Sequence, residues 1–480
     1  YMHGAVRIGV STDLIVEEIA DARASIIRIT GLIALAAVAA GIAGALLLSA
    51  IVVIPINRLV RGVEEIRRTR DHTELAGHEI NVRSRDELYA LADSINSMTK
   101  GLVAGAQRAK DVGAGKEVQQ MFIPLEKTET ETLTTGKNEN EFAEFFGYYL
   151  GADELSGDYF FYQDIGKGRY AVIKCDVSGH GVPAALIMVE VATVFLSYFR
   201  DWERSRRKPS ELHELVENIN DLVNAREFPG KFAALTVAII NVTDGSAVVS
   251  HAGDKELRIY RSGTLSVELN KMAEAPAAGP FPTDFLPAGF PQQSFTLDAG
   301  DVMLLPTDGI DESMRAMRDE HYQPVTLAEE ELRELPGMFK RDEESGIVYE
   351  QLNLDRIEAI IHAVATGGQY TLKPYMDPGE PLTFDYRGLK PTAENIVYAV
   401  IAAERMWRIV PDPRASVEDT IQVEKNIDEF LRTHLKQFGR FFRQRVPDDP
   451  EERESLFVTY SNLREDRQED DLTILAIRKK

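Results

Sequence analysis

The 480-residue chain has a single cysteine, Cys175. One thiol excludes a disulfide framework and a zinc ribbon. It lies at the end of the strand-like run Ala171–Cys175 and reads as a small core residue. Positive charge is also scarce: 54 Lys and Arg stand against 77 Asp and Glu, a net charge of −23. So acidic a protein is ill suited to grip nucleic-acid phosphates. Residues 1–24 lack the apolar core and cleavage pattern of a signal peptide, and the chain opens on Tyr1, as a piece of something longer would. Charge is missing altogether from Ile29 to Ile56, over 28 positions. What remains is a globular composition, 44% hydrophobic and 27% charged, which excludes disordered and collagen-like classes. At about 100–200 residues per domain there is room for two to four domains.

The uncharged run exceeds the roughly 20 residues a bilayer-crossing helix needs, and predicts a transmembrane helix over 26–54. Gly31, Gly41, Gly44 and many alanines give it a surface able to approach a second helix. Residues 57–70 carry five Arg against Glu64 and Glu65, whereas residues 1–28 carry three Arg against four acids. By the positive-inside rule the C-terminal side is cytoplasmic. The expected location is the bacterial inner membrane, crossed once in this stretch, with contact to lipid there. Before it, Ala5–Val10 reads as a strand and Ser11–Ala24 as an amphipathic stretch. "VRIGVSTDLIVEEI" resembles the end of a Cache-type sensor, so residues 1–25 are expected to be the remnant of an extracytoplasmic domain.

After the membrane, Pro55 ends the apolar run and starts a helix with Ile56, Leu59, Val63 and Ile66 as its apolar positions. A loop with Gly77, Ile80 and Val82 follows, then a helix from Asp86-Glu87. Its apolar positions Leu88, Leu91, Ile95, Met98 and Leu102 step by 3 and 4, a narrow seam that needs a partner helix. The proline, the glycine loop and "DELYALADSINSM" resemble a HAMP domain over 55–104. The resemblance implies a parallel four-helix bundle made by two chains, hence a homodimer. Residues 105–125 read as a linker helix weakened by Gly105, Gly113 and Gly115, each by about 1 kcal/mol relative to Ala. It is either a place where a signal changes structure or a loose connection. Residues 126–141 are polar and read as a solvated loop.

Four distant segments place an Asp at the edge of a β-like run: "SGDYFFY" with Asp158, "VIKCDVSGHGVPAALIM" with Asp176, "GDVMLLPTDGIDE" with Asp308, and "EDDLTILAIR" with Asp470 and Asp471. Carboxylates gathered at one point repel unless cations neutralise them. An all-oxygen set without His or Cys suits Mg²⁺ or Mn²⁺, and two such ions can activate water and hold a phosphoryl group.

These segments resemble the PPM family of metal-dependent protein phosphatases in its SpoIIE-type branch. "DVSGHGVPAALIM" is the most specific piece: Gly179 and Gly181 permit a tight turn, and Pro183 suits the first helical turn. "KEVQQMFIPL" resembles the family's lead-in helix, and "KFAALTVAIINVTDGSAVVSHAG" its central hairpin, with Asp244-Gly245 at the turn. The resemblance implies an α+β fold, an α-β-β-α layered sandwich over 142–480. It implies that Asp158, Asp176, Asp308 and Asp470 bind two Mn²⁺ or Mg²⁺ ions, with Asp176 bridging and the Val177 carbonyl as a further ligand. Asp470 fits the family position better than Asp471. His180 would serve either proton transfer or the loop itself. The implied substrate is phosphoserine or phosphothreonine on a regulatory protein such as an anti-sigma-factor antagonist.

The chain departs from the pattern at Ser156, where glycine is usual, at "HAGDKELRIY" in place of "NAGHPP", and at Pro306 in place of an aromatic. Asp308 and Asp470 are also 162 positions apart, so residues of about 315–450 are expected to be a mostly helical insertion that recognises substrate, caps the site or regulates it. Its helices are "LDRIEAIIHAV", "AENIVYAVIAAERMW" and "VEKNIDEFLRTHLKQFGRFF", with a proline-rich extended loop over 372–391. Competing functions fit less well. A diguanylate cyclase would explain "SGDYF" but leaves "DVSGHG" and "DDLT" without a reason. A histidine kinase would need a phosphoacceptor His after the HAMP segment and a glycine-rich ATP lid. A phosphatase fold serving as an inactive sensor scaffold stands against the complete set of four aspartates.

Overall fold

The computed structural model describes residues 12–82, 87–129, 132–204, 207–226, 228–376, 382–411, 415–419, 421–423, 425 and 463–480. The strand expected at Ala5–Val10 and nearly all of the helix expected over 423–442 lie outside the described residues. The chain forms two compact units, Tyr1–Asp111 and Val112–Lys480.

In the first unit, α1 (Asp13–Leu48) passes through a π-helical turn, Ser49–Val53, into α2 (Ile54–Arg68). The stretch Val16–Arg68 contains an 18-residue window of mean hydropathy 2.6 with none of it buried, long and apolar enough to cross a bilayer. The sequence predicts a helix break at Pro55. The helix instead continues, and the π-turn explains how. A proline lacks its N–H and clashes with the carbonyl four residues back. Here the Ile54 amide reaches five residues back to the Ser49 carbonyl, which opens the helix just ahead of the ring. Beyond α2 the chain turns at Gly77 (φ +80°) and returns as α3 (Glu87–Gln120). Leu59, Ile80, Val82 and Ala92 form a small core. Gly62 makes room for it, since a Cβ there would lie 2.3 Å from Ile80 Cδ1. The Asn96 amide clips the loop, accepting from Ile80 N–H at 2.8 Å and donating to its carbonyl at 3.1 Å. Leu91, Met98 and Leu102 remain exposed (49%, 53% and 38%). α3 runs unbroken through Gly105, Gly113 and Gly115.

The second unit is a two-sheet sandwich. Its strands are β1 (Thr135–Glu139), β2 (Ala143–Leu150), β3 (Tyr159–Gly166), β4 (Arg169–Val177), β5 (Ala233–Asn241), β6 (Ser246–Ala252), β7 (Glu256–Arg261), β8 (Ser266–Lys271), β9 (Gln292–Thr296) and β10 (Val302–Pro306). α4 (Val182–Phe199) and α5 (His213–Ala225) lie between β4 and β5 in sequence. After the single turn α6 (Asp308–Asp311) come β11 (Met314–Ala316), α7 (Glu329–Leu332), β12 (Phe339–Arg341), β13 (Val348–Gln351) and α8 (Leu354–Thr366). The chain continues with β14 (Gln369–Leu372), β15 (Leu382–Asp385), α9 (Ala393–Arg408), β16 (Ile409–Pro411), β17 (Leu463–Glu465) and β18 (Leu472–Lys479).

One sheet has the order β3-β4-β5-β6-β9, the other β1-β2-β18-β10-β7-β8. Alternation along β18 assigns its two faces: Leu475 and Ile477 join the core between the sheets, whereas Leu472, Ile474 and Ala476 join the core under α8 and α9. Gly147 lets the sheets approach closely, because a Cβ there would meet the Phe160 ring at 2.3 Å. α4 is apolar enough by composition to resemble a membrane span, but half of it is buried in this core, with Ile187, Met188, Val191 and Phe195 fully covered.

The structure revises three readings. Residues 126–141 are not all loop: β1 pairs along β2 as an edge strand, and its outward residues Lys137–Glu139 are exposed, so it carries no apolar alternation to betray it. The stretch 372–391 is not all loop either: β15 within it pairs antiparallel with β14 just before it. And α8 and α9, read as insertion, supply the outer helical layer of the second sheet. Trp407, Ile396, Val400 and Ile360 are fully buried there, with α9 packed on β2 and β18 and α8 on β8.

Candidate active site

Two loops interlock at one end of the sandwich. The first leads from β2 to Asp158, which ends just before β3; the second leaves β4 through Asp176 and Val177 into α4. Gly181 N–H donates to the Leu155 carbonyl at 3.0 Å, and His180 Nδ1 pairs with Asp153 at 2.5 Å. Gly179 and Gly181 both take positive φ (+71° and +79°), as the tight turn requires. Gly157 packs against the Val177 carbonyl; a Cβ would sit 2.5 Å from that oxygen. Gln119, buried near the end of α3, clamps the first loop from behind. Its amide donates to the Ser156 carbonyl at 2.6 Å and accepts from Ser156 N–H at 3.2 Å.

The other two aspartates arrive on adjacent strands. β10 and β18 are paired, Pro306 against Ile474, so Asp308 and Asp470 emerge side by side. Two threonines zip this corner: Thr307 N–H donates to the Thr473 carbonyl at 2.8 Å, and Thr473 N–H to the Thr307 hydroxyl at 3.1 Å. The Thr307 hydroxyl also donates to Asp158 at 2.8 Å. Gly309 admits the Asp471 carbonyl, which would lie 2.0 Å from a Cβ at that position.

The four predicted aspartates are brought together as a chain of neighbours. Burial raises the pKa of Asp176, and the charge of Asp308, with which it is within hydrogen-bonding reach, and of Asp470 raises it further. Burial likewise pushes Asp158 up, followed by Asp176 and Asp471. Asp470 is raised by burial, then by Asp308 and Asp471. Asp311, one helical turn past Asp308, is pushed up to about 7 by burial and then by Asp308. Such mutual elevation marks acids held together without enough positive charge. The donors are all oxygen, which fits Mg²⁺ or Mn²⁺. Among the described residues no three His, Cys, Asp or Glu side chains yet converge as a finished coordination sphere.

Asp471 has a different place. It is buried, and its two carboxylate oxygens accept from Ala152 N–H and Gly157 N–H, both at 2.8 Å. Ser156, the departure from glycine, accepts the Asp158 N–H on its hydroxyl at 3.0 Å. Sequence reasoning missed Asp153, Thr307, Thr473 and Gln119. The threonines carried a signal, since each stands next to or two places from a candidate Asp; Asp153 and Gln119 carried none.

Two family models match separate stretches of the chain. Residues 166–340 match the family of stage II sporulation protein E (SpoIIE), and residues 47–104 match the HAMP domain. A 56-residue stretch is 39% identical to phosphoserine phosphatase RsbP of Bacillus subtilis; it covers 12% of this chain and 14% of that relative. Among solved structures, the SiaA-PP2C domain of Pseudomonas aeruginosa is 14% identical, with 78% of this chain and 98% of that one covered and a TM-score of 0.38. The SpoIIE phosphatase domain with part of its regulatory domain, from Bacillus subtilis, is 14% identical over 73% and 64%, with a TM-score of 0.35. The chain carries a HAMP domain followed by a SpoIIE-type domain of the PPM phosphatase family.

Proposed function

We propose that this protein is a membrane-anchored, signal-responsive phosphatase that hydrolyses phosphoserine or phosphothreonine on a regulatory protein, such as an anti-sigma-factor antagonist. The observation that carries the reading is the crowding of Asp176 and Asp470 around Asp308 at one rim, where burial and the neighbouring carboxylate charge raise the pKa of both Asp176 and Asp470, an excess of negative charge that divalent cations would relieve. Asp158, Asp176, Asp308 and Asp470 would hold Mn²⁺ or Mg²⁺ together with the Val177 carbonyl. Bound there, two ions would supply an activated water and withdraw charge from the phosphoryl group. The rest falls to this chain's own groups. Asp153 holds His180 through Nδ1, leaving Nε2 to deliver a proton to the departing seryl oxygen. Gly157 and the Thr307–Thr473 pair keep the loops at the spacing the acids need.

The HAMP unit supports a homodimer: Leu91, Met98 and Leu102 form an exposed apolar seam in the single chain, which a second copy would cover. The apolar helix supports a membrane location with the SpoIIE-type domain in the cytoplasm. A second reading, a non-catalytic sensor scaffold, draws on the acids' incomplete convergence. Phosphate release from a phosphoserine protein by the detergent-solubilised chain, with and without Mn²⁺, separates the two. Metal-dependent turnover that disappears in Asp308→Asn supports the phosphatase. A folded chain with no turnover under either condition supports the scaffold.

A further inference from the structure

Lys174 is a buried lysine beside the acid rim. It points from β4 on the same face as Asp176, two residues on, and its side chain is 7% exposed. Its cross-strand neighbour is Thr236 on β5, and that of Thr236 is His251 on β6. Lys174 Nζ donates to Asp254 Oδ1 at 2.9 Å, and the Thr236 hydroxyl donates to the other oxygen of the same carboxylate. Asp254 is one of the positions at which this chain departs from the usual family pattern.

Two facts argue that the pair does more than hold the sandwich. A buried ion pair is weak support for a fold, since apolar residues of similar volume often serve as well or better. And an ammonium has three donors, of which only the bond to Asp254 is made among the described residues. Lys174 lines a cleft of about 510 Å³ whose walls include Asp176, Asp254, Lys255, Asp308 and Asp311. A fixed cation with spare donors therefore shares one cavity with the acids of the candidate centre.

We propose that Lys174 is a phosphate-binding residue: its free ammonium hydrogens donate to non-bridging oxygens of the phosphomonoester held at the Asp176–Asp308 rim, and Asp254 with Thr236 fixes its position. The inference rests on the phosphatase reading and names the group that holds the substrate's phosphate within it. Lys174 stays protonated throughout and no bond to it forms or breaks.

The test is calorimetric titration of inorganic phosphate into the detergent-solubilised full chain, with and without Mn²⁺, beside a separate Mn²⁺ titration. Lys174→Met removes the charge. Because it leaves Asp254 buried and unpaired, the double variant Lys174→Met/Asp254→Leu removes the pair as a whole. Loss of a charged hydrogen bond, about 1.5–3 kcal/mol, predicts phosphate binding weakened roughly 10- to 100-fold in both. Mn²⁺ affinity should stay within about twofold, and Lys174→Arg should recover most of the phosphate binding, since it restores the charge and its donors. Phosphate affinity unchanged in the folded double variant overturns the proposal, as does a wild type that binds no phosphate. Lys174-dependent phosphate binding by a chain that hydrolyses no phosphoprotein keeps the proposal and removes the phosphatase reading instead.

Discussion

The Asp471 carboxylate accepts the Gly157 amide at 2.8 Å and so ties two positions 314 residues apart into one corner of the site. Its neighbour Asp470 instead feels the charge of Asp308. Adjacent acids in one motif thus have separable tasks. Asp471→Ala strands the buried Gly157 amide, at about 1–3 kcal/mol, and the half-buried Ala152 amide at less, and should lower unfolding stability by roughly 3 kcal/mol in urea. Asp470→Ala should leave stability nearly unchanged while weakening Mn²⁺ binding at least about 10-fold, by analogy with the effect of supporting ligands. Equal stability loss in the two variants would show that the corner does not divide the work this way.

Gly309→Ala probes the same corner from below. Its Cβ would meet the Asp471 carbonyl at 2.0 Å, so backbone must move. The expected cost is about 1–3 kcal/mol, the range for overpacking, together with reduced phosphate release. Wild-type stability in this variant would mean that α6 has room to shift.

The pH dependence of the metal-free chain follows from the raised acids. Asp311 is held up at about 7 by burial and then by Asp308, and burial with neighbouring charge also raises Asp176 and Asp158. A carboxyl whose pKa rises on folding stabilises the native state fully below its unfolded value, roughly 4. That contribution is lost as pH rises through the folded value. Denaturant unfolding in chelator should therefore show stability falling from about pH 5 to pH 8, by at most about 1.4 kcal/mol per pH unit for each titrating carboxyl. Mn²⁺ should flatten the slope, and at 100 times its dissociation constant add about 2.7 kcal/mol. A slope of opposite sign would mean that the acids are already ionised and compensated.

Trp407 measures how far the segment between Asp308 and Asp470 belongs to the fold. It is fully buried, with the Arg356 guanidinium 4.6 Å from its ring and its indole N–H donating to the Glu350 carbonyl at 3.3 Å. Trp407→Ala should cost about 3–5 kcal/mol, and near-ultraviolet dichroism should show it. A dispensable insertion would lose far less.

Charge placed on the exposed HAMP seam tests association. Leu91→Glu with Met98→Glu should convert the solubilised chain from dimer to monomer by light scattering, because like charges would face each other across a seam. Both positions are exposed in the single chain, so the variant should still fold. An unchanged mass would place the contact elsewhere.

Much of this architecture was legible in the chain. Ile29–Ile56 announced its helix through length alone, and the hairpin β5–β6 through Asp244-Gly245 and its apolar strands. The Asp158, Asp176, Asp308 and Asp470 segments were found because each acid abuts a strand. What stayed hidden had no local pattern. β1 is held by pairing with β2 rather than by alternation, and Pro55 looked like a break because a π-turn leaves no mark in sequence. The helices α8 and α9 were visible as amphipathic, but only the sheet beneath them shows that their apolar faces close the sandwich. The Lys174–Asp254 pair joins residues 80 positions apart, a relation no window of sequence reveals.

β18 occupies the middle of its sheet, between β2 and β10, although it follows all the other described strands in the chain. Its neighbours are made hundreds of residues earlier, and during synthesis they must wait with facing edges unpaired. At about 5–20 residues per second, the 165 residues between Pro306 and Leu472 take roughly 8 to 33 seconds to translate. Throughout that interval the nascent chain has neither its central strand nor Asp470. The exposed edges of β2 and β10 are then where a chaperone or a misdirected strand would find this protein most open.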